Sequence, residues 1–262
     1  MDSGDDRKDG GPGGVFHSFF LLAMELPLHP DCRVLKAERG LIAVDKAAGV
    51  LSHPNRAVDQ AKSLLGVPYD AEREVYIAGE NSWFLLNRLD SPTSGVILLS
   101  SDLALATAVR VAFASGGVEK TYIALVKGIP RRPRERWQDF LRVERSGGKL
   151  RTRVSRGAPN AVTRMEVLQR GRGVPARSLL QLSPETGRTH QLRAQCAARS
   201  LPILGDANYG DFATNRELKR RLSAERLFLH SHKTQVELRL DSGNFRFVAT
   251  SPIPSIFSVA LE

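Results

Sequence analysis

Short apolar runs bounded by polar or turn-forming residues are the feature that most restricts how this chain can fold. Residues 41–44, 83–86, 95–99 and 121–126 are such runs. Each is shorter than a typical helix, and residues 121–126 alternate in the manner of a half-buried strand. The pattern therefore predicts β-strands that are joined by short links.

Helical spacing occurs in few segments. Apolar side chains recur at helical intervals in residues 103–113, where Ser101 or Asp102 can cap the first turn and the glycines at 116–117 should end the helix. Two more helices are predicted, at residues 189–198 and 215–222. Further strands are predicted at residues 34–35, 162–168, 178–182, 227–229, 234–240 and 245–248. Many strands with few helices predict an α+β fold with a mixed or antiparallel sheet.

Length and composition favour one globular domain. The chain has 262 residues, of which 42% are hydrophobic, and this is enough to bury a sizeable core. No apolar run reaches the roughly 20 residues of a membrane-spanning helix, and an acidic start argues against a signal peptide. We expect residues 1–30 to be a flexible tail and residues 31–262 to be a single monomeric domain. Two isolated cysteines, Cys32 and Cys196, fit a reducing compartment and therefore a cytoplasmic location.

The charge favours a polyanionic partner. Lys and Arg number 38 and Asp and Glu number 28, so the formal net charge is +10, and nucleic acid is the most common partner of such a chain. Residues 131–156, here called the basic segment, hold ten Lys or Arg against three acids, a balance of 10 − 3 = +7. We predict an extended loop or hairpin here. Its arginines, with Trp137 and Phe140, are typical of phosphate binding with aromatic stacking, and a solvated surface is the alternative.

Two segments place reactive side chains on or beside predicted strands. In residues 87–95, Arg88 and Asp90 lie in a turn between two strands, a place where rigid scaffolds often present functional groups. An ordinary surface turn is the alternative, because Asp, Ser, Pro and Gly favour turns. In residues 119–128, Tyr122 is a strand aromatic, for which core packing is the alternative.

Two further segments lie at the start of the predicted helix of residues 189–198 and in the loop after that helix. Arg188, His190 and Arg193 surround a helix N-terminus, which can bind anions, and a solvated basic helix start is the alternative. His190 has no neighbouring cluster of metal ligands in the sequence, so we expect no metal site. In residues 201–210 we interpret Gly205-Asp206 and Tyr209-Gly210 as structural turns without a chemical role.

Five motifs, in this order, resemble those of the RluA-type RNA pseudouridine synthases. They are Arg-Leu-Asp-x-x-Thr-Ser-Gly (88–95), Lys-x-Tyr-x-Ala-x-Val-x-Gly (120–128), Gly-Arg-Thr-His-Gln-Leu-Arg (187–193), Pro-Ile-x-Gly-Asp-x-x-Tyr-Gly (202–210) and Arg-Leu-x-Leu-His (226–230). The resemblance runs from about residue 34 to residue 252. It implies an α+β pseudouridine synthase catalytic fold, with a mixed, largely antiparallel sheet and flanking helices and loops around a central cleft. It also implies isomerisation of uridine in RNA without a cofactor or a metal.

The resemblance assigns roles to individual residues. It implies that Asp90 is the catalytic aspartate, that Tyr122 is the family's tyrosine, that Arg193 pairs with the aspartate and that Arg88 helps to displace the target base. With RNA as the partner, additional RNA-binding residues are expected in the third motif and in the basic segment. These are Arg188, His190, Arg131, Arg132, Arg151 and Arg153.

Four positions depart from the family pattern. Asn87 stands where His is usual, Pro92 replaces Asp or Glu, Ala47 replaces Pro, and Gln195 stands where His is common. These departures bear on rate and on substrate recognition. No room is expected before residue 34 for the extra RNA-binding domain of many relatives, and the basic segment is a candidate to replace part of it.

The reaction that the resemblance implies sets the tasks of these residues. The N1–C1′ bond must break and C5 must join C1′, after the base has been flipped out of its stack. The Asp90 carboxylate could bond to the sugar, bond to uracil or abstract a sugar proton. Arg193 would bind that carboxylate, and Tyr122 offers a flat face for uracil and a hydroxyl for proton removal.

Other functions stay open from sequence alone. A non-catalytic RNA-binding or RNA-chaperone protein on the same scaffold is the main alternative. A glycoside hydrolase is a third interpretation, but a second catalytic carboxylate is not evident. For a synthase, the modified RNA could be ribosomal RNA or transfer RNA, because site choice depends on loop shape and flanking contacts.

Overall fold

Thirteen strands form one continuous sheet in the computed structural model, which describes residues 26–146, 149–223, 225–240 and 243–262. The strands are β1 (Arg33–Glu38), β2 (Leu41–Lys46), β3 (Tyr69–Asp70), β4 (Val75–Ala78), β5 (Asn81–Leu85), β6 (Ser94–Ser100), β7 (Val118–Lys127), β8 (Arg134–Ser146), β9 (Lys149–Ser155), β10 (Ala161–Arg170), β11 (Arg177–Pro184), β12 (Leu229–Leu240) and β13 (Gly243–Thr250). The helices are α1 (Leu103–Ser115), α2 (Gln191–Ala198), α3 (Phe212–Leu222) and α4 (Ile256–Leu261), and a short 3-10 helix spans Ala57–Lys62. Within the described ranges, every helix is too short or too polar to cross a membrane.

The sheet is mixed and largely antiparallel, as the sequence predicts. Its strand order is β3-β4-β5-β6-β12-β7-β11-β10-β8-β9, while β2 pairs with β1 and β6, and β13 pairs with β12. Among the described ladders, the parallel one joins β6 to β12, with Ser94 opposite His230 and Gly95 opposite Ser231. Because β12 also pairs antiparallel with β7, the start of β12 lies between the start of β6 and the middle of β7. This junction positions the site described below.

Most predicted strands and α-helices are present, and two strands and one α-helix were missed. The α1 helix has the predicted cap, because Asp102 Oδ1 accepts a hydrogen bond from Leu105 N at 2.6 Å, and it ends at Gly116 in the left-handed region. Strands β3 and β4 and helix α4 were not predicted. Helix α4 has six residues and buries Phe257, Ala260 and Leu261, so tertiary packing rather than a long periodic pattern stabilises it.

The packed part of the chain begins before the predicted boundary at residue 31. Residues 1–25 of the predicted tail lie outside the described residues. Residues 26–29 pack against the domain, because Leu26 is buried and Leu28 forms a β-bridge with Leu65. His29 N also donates a hydrogen bond to Leu64 O at 2.9 Å. Residues 26–29 of the predicted tail are therefore part of the domain.

The basic segment forms a hairpin of β8 and β9, one of the two predicted alternatives. The predicted role of Trp137 in base stacking is wrong, because the residue is only 1% exposed and lies in the core. Its ring is covered by the Arg199 guanidinium at 4.6 Å from the centroid, and its Nε1 donates to Glu135 at 3.1 Å. An aromatic inside a charged run can therefore face the core, because alternate residues of a strand point to opposite sides.

Two hydrophobic clusters meet beside the Asp90 turn, which is defined here as residues 86–93 between β5 and β6. Leu89 is buried in one cluster and Leu192 in another. Tyr122 packs against both clusters. The turn, the start of α2 and the middle of β7 are therefore fixed against one another by core packing.

Gly95 is required where β6 approaches β12. It has φ +107°, and a Cβ at this position would overlap the Ser231 carbonyl group. Gly243 has the same φ of +107°, but no described atom lies within 4 Å of the corresponding Cβ position. A substitution of Gly243 therefore tests backbone strain alone, whereas a substitution of Gly95 tests backbone strain together with a steric clash.

We predict that Gly95→Ala lowers the free energy of unfolding by about 2 kcal/mol more than Gly243→Ala does, because only the former adds overpacking to the strain of a positive φ. Urea unfolding of both variants, with m-values compared, measures the difference. Equal losses of stability in the two variants would show that the β6–β12 approach is looser than described.

Candidate active site

The Asp90 turn is held by backbone and side-chain hydrogen bonds. Thr93 N donates to Asp90 O at 2.9 Å and closes the turn. Ser52 Oγ donates to Leu89 O at 2.7 Å, and Leu89 N donates back to Ser52 Oγ at 3.0 Å. The Asp90 side chain is 28% exposed and lines a cleft of about 1020 Å³. The turn therefore presents a fixed carboxylate to a large open space.

Lys46, at the end of β2, clamps this turn from the protein interior. Its side chain is fully buried, and its Nζ donates to the carbonyl oxygens of Ala47 at 2.9 Å, Val50 at 2.7 Å and Ser91 at 3.0 Å. Burial lowers the pKa of Lys46 to about 8, against the opposing influence of the Cys32 thiol and the Asp90 carboxylate. All three ammonium donors are thus used to tie residues 47–50 to the residue after Asp90.

Arg193 bridges two carboxylates. Its Nη1 donates to Asp90 Oδ2 at 2.8 Å, and its Nε and Nη2 donate to Asp206 Oδ2 and Oδ1, each at 2.8 Å. Arg193 and Asp206 are both buried. A bidentate pair of this kind holds the plane of the guanidinium, so Nη1 is aimed at Asp90.

Asp206 is the second ion-pair partner of Arg193, a role that was not predicted from the sequence. It was interpreted as part of a structural turn, and it does form that turn, because Oδ1 also accepts from Asn208 N at 2.8 Å and Tyr209 N at 3.0 Å. A signal was present, since Arg193 stands between the apolar residues Leu192 and Ala194 in a predicted helix. A buried guanidinium with five donors needs more acceptors than one carboxylate supplies.

The opposite charges of Arg193 and its two carboxylate partners stabilise one another. Burial alone would raise the pKa of Asp206, but the hydrogen bonds and charge of Arg193, with two backbone N–H groups, more than offset this and lower it. Burial likewise opposes the charge of Arg193, but Asp206 and Asp90 together raise its pKa. Arg193 is thus shared between two carboxylates, and the Lys46 ammonium, which binds backbone carbonyls, feels the Asp90 charge without contacting it.

His190 lies beside Asp90 at the start of α2. Its backbone is left-handed, with φ 51°, its Nδ1 is 3.0 Å from Tyr209 Oη, and its Nε2 is 3.8 Å from Asp90 Oδ2. Burial lowers the pKa of His190, with the Arg193 charge acting in the same direction and Asp90 opposing both. The neutral imidazole belongs to the group around Asp90 and is poorly suited to be a cationic phosphate ligand.

Gln191 organises the loop before α2 and was also missed. Its Oε1 accepts from Arg188 N at 3.0 Å and from Thr186 Oγ1 at 2.8 Å. Its Nε2 donates to Val162 O at 3.1 Å and Thr163 Oγ1 at 3.0 Å. Because one amide contacts both the loop and β10, Arg188 is held at the cleft wall.

Tyr122 and Lys120 reach the cleft from β7. They are two residues apart and therefore share one face of the strand, and both line the cleft. Burial raises the pKa of the Tyr122 hydroxyl to about 12 and lowers the pKa of Lys120. The Lys120 ammonium lies 5.8 Å from the Phe113 ring centroid. Lys120 is a further cleft cation that the sequence analysis did not single out.

The structure brings together six of the ten predicted site residues and separates four from the cleft wall. The six that line the cleft are Arg88, Asp90, Tyr122, Arg188, His190 and Arg193. The other four are Arg131, Arg132, Arg151 and Arg153.

The four outlying arginines differ in their surroundings. Arg131 and Arg132 are exposed in the link after β7, at the end of that strand away from Tyr122. Arg151 lies over the Tyr209 ring, 5.6 Å from its centroid, and Arg153 pairs with Glu144 at 3.3 Å. Only Arg151 is therefore close to the group around Asp90.

Three of the four departures from the family pattern have structural partners. Asn87 Oδ1 accepts from Leu98 N at 2.8 Å. Gln195 is buried, accepting from Thr163 Oγ1 and donating to Asp139 Oδ2, both at 2.7 Å. Ala47 uses its N–H, which a proline lacks, on Cys32 Sγ at 3.4 Å. Pro92 lies at the cleft.

Comparison with known proteins identifies the family to which this chain is similar. The family model described as RNA pseudouridylate synthase matches residues 40–198. The tRNA pseudouridine synthase C of Haemophilus ducreyi is 32% identical over 208 residues, which are 76% of this chain and 82% of that protein. An uncharacterized RNA pseudouridine synthase of Zymomonas mobilis is 32% identical over 234 residues, 86% of this chain and 95% of that protein.

The fold is also similar to that of a solved pseudouridylate synthase structure. The solved structure of human RNA Pseudouridylate Synthase Domain Containing 1 aligns with a TM-score of 0.63 at 23% identity, and the alignment covers 88% of this chain and 86% of that one. At this identity the likeness establishes the fold. Since the family model spans more than half of the residues and the relatives align over most of their length, this chain is a member of the RNA pseudouridylate synthase family.

Proposed function

We propose that this RNA pseudouridine synthase uses Asp90 as its catalytic carboxylate, acting on a uridine that has been flipped out of structured RNA into the cleft. The observation that carries the proposal is the Asp90–Arg193 contact of 2.8 Å at a cleft wall. Asp90 Oδ2 is the oxygen that Arg193 binds, and Oδ1 accepts no hydrogen bond from the described residues. Oδ1 is thus the oxygen available to the substrate.

The cleft suits a displaced base. Arg88 is exposed and lines the cleft two residues before Asp90, so its guanidinium can occupy the place of the base in the RNA stack. Flipping costs a few kcal/mol, and it costs least where the base is already unpaired. Loops of structured RNA are therefore the favoured substrate.

Tyr122 acts in this scheme as a neutral group. A hydroxyl with a pKa of about 12 stays protonated at neutral pH, so it can donate a hydrogen bond while the ring packs against uracil. It does not serve as a phenolate base. The proton on C5 must therefore pass to another acceptor, and the carboxylate of Asp90 is in the same cleft.

Transfer RNA is the first substrate class to test. The Haemophilus ducreyi relative is a tRNA pseudouridine synthase, and another relative from that organism is a ribosomal large subunit pseudouridine synthase. Both RNA classes present unpaired uridines in loops. The non-catalytic alternative is disfavoured by the intact contact of Asp90 with Arg193, since an RNA chaperone has no need of a carboxylate ion-paired in its binding cleft.

Asp90→Asn should lower the rate of pseudouridine formation by more than about 10³-fold, because the amide is neither a nucleophile nor an anion. RNA affinity should stay close to that of the wild type. Nucleoside analysis of RNA after incubation and a filter-binding titration measure the two quantities. Asp31→Asn, at a side chain that is 72% exposed, is the matched control. Turnover at the wild-type rate in the Asp90 variant would reject the assignment.

Arg193→Lys should lower kcat by about 10²-fold although the charge is kept, because an ammonium cannot hold Asp206 with two donors and Asp90 with a third, and a displaced carboxylate is costly. The measurement is single-turnover kinetics on protein whose fold is verified by circular dichroism. Arg199→Lys, at the residue that follows α2 and pairs with Asp139, is the control. An unchanged kcat in the Arg193 variant would mean that Asp90 does not depend on the guanidinium fork.

Tyr122→Phe should leave KM close to wild type and lower kcat by a factor that is constant between about pH 6 and pH 9. The reason is that a hydroxyl with a raised pKa does not change its protonation in that range. Measuring kcat of both proteins across the range tests this. A ratio that changes steeply with pH would indicate that the hydroxyl ionises during the reaction.

A further inference from the structure

We propose that His53, backed by Tyr69, is a stacking platform for an unpaired nucleobase next to the target uridine. The inference deepens the proposed function and rests on RNA being bound in the cleft. It concerns a different wall of the cleft from Tyr122, because His53 lies in the loop between β2 and the 3-10 helix. The site would accept a base through its flat face, so its ligand class is any unpaired base of the RNA.

The ring geometry carries the proposal. The His53 and Tyr69 rings are parallel to within 12°, with centroids 5.0 Å apart. His53 lines the cleft, whereas Tyr69 is not part of its lining. The imidazole is therefore the outer layer of a two-ring stack at the edge of the space where RNA binds.

The platform is held rigidly from behind. Tyr69 packs on Tyr76 with centroids 4.7 Å apart, and Tyr76 is fully buried. The Tyr76 hydroxyl donates to Ser52 O at 2.7 Å. Because both layers are ordered before RNA arrives, stacking on them costs little conformational entropy.

The platform shares its support with the Asp90 turn. Ser52 precedes His53 and also exchanges two hydrogen bonds with Leu89, the residue before Asp90. His53 follows Ser52 and Asp90 follows Leu89, so both residues are adjacent in sequence to the Ser52–Leu89 contact. A base on His53 would belong to a nucleotide close to the one whose base reaches Asp90.

The surrounding groups match single-stranded RNA. Arg88 and Asn55 are exposed and line the same cleft, where they supply a cation for a phosphate and an amide for a base edge. A flat ring beside a cation is the usual means by which proteins bind unpaired bases, and it tolerates different sequences because every base has a π-face. The arrangement therefore selects an unpaired neighbour rather than a particular base.

His53→Ala is the direct test, with His53→Phe as the variant that keeps a flat ring and His29→Ala as a control outside the cleft lining. The first probe is an oligouridylate of about ten nucleotides, whose Kd is measured by fluorescence anisotropy. We expect an approximately ten-fold rise in Kd for His53→Ala and recovery in His53→Phe, in line with the usual contribution of one base stack. This arm does not require turnover, so it tests the platform even if Asp90 is not the catalytic group.

The second probe is an in vitro transcript in which the wild type forms pseudouridine, prepared also with an abasic nucleotide on the 5′ or the 3′ side of the target. His53→Ala should raise KM on the intact RNA with little change in kcat. On the abasic RNA that lacks the stacked base, the variant and the wild type should have equal KM. The proposal is overturned if His53→Ala binds oligouridylate as the wild type does, if Phe fails to restore binding, or if neither abasic RNA removes the difference.

Discussion

The buried guanidinium of Arg193, bound to two carboxylates, is the interaction on which the site depends. Burying the charges of Arg193 and Asp206 away from water is unfavourable unless each charge is compensated. Asp206 accepts hydrogen bonds from Nε and Nη2, and Nη1 donates to Asp90. Lys46 adds the second cation, and it does so with all three donors on backbone carbonyls. Because Asp206 fixes the Arg193 guanidinium and Arg193 binds Asp90, the position of the Asp90 carboxylate does not depend on the substrate.

The sheet brings these groups together from distant parts of the chain. Lys46 ends β2, Tyr122 lies in β7 and Arg193 lies in α2, while Asp90 precedes β6 and Asp206 follows α2. The parallel pairing of β6 with β12 places the Asp90 turn beside β7, and Gly95 allows the close approach. Residues with no proximity in sequence are therefore adjacent because of one strand junction.

Sequence patterns were sufficient for the elements that depend on local signals, and insufficient for groups that depend on tertiary partners. Helix α1 was predicted from its Asp102 cap and glycine end, and the antiparallel strands from their short apolar runs. The resemblance singled out Asp90, Tyr122 and Arg193, which meet at one cleft. The pairing of Asp206 was missed because a Gly-Asp dipeptide is typical of an ordinary turn, and the clamp made by Lys46 was missed because its acceptors are backbone carbonyls, which carry no sequence signature.

Net charge is a poor measure of how many phosphates this protein can contact. In the basic segment, Arg134 pairs with Glu166 and Arg136 with Glu185, so part of the local excess is neutralised within the protein. The cleft itself is lined by a small number of cations, and one of them, Lys120, has its pKa lowered by burial. Binding there must therefore draw on shape and stacking as well as charge, because phosphate contacts alone would hold any RNA equally. The proposed base flipping fits this cleft, because a fixed carboxylate, few free cations and the flat rings of Tyr122 and His53 suit a looped-out uridine better than a regular helix.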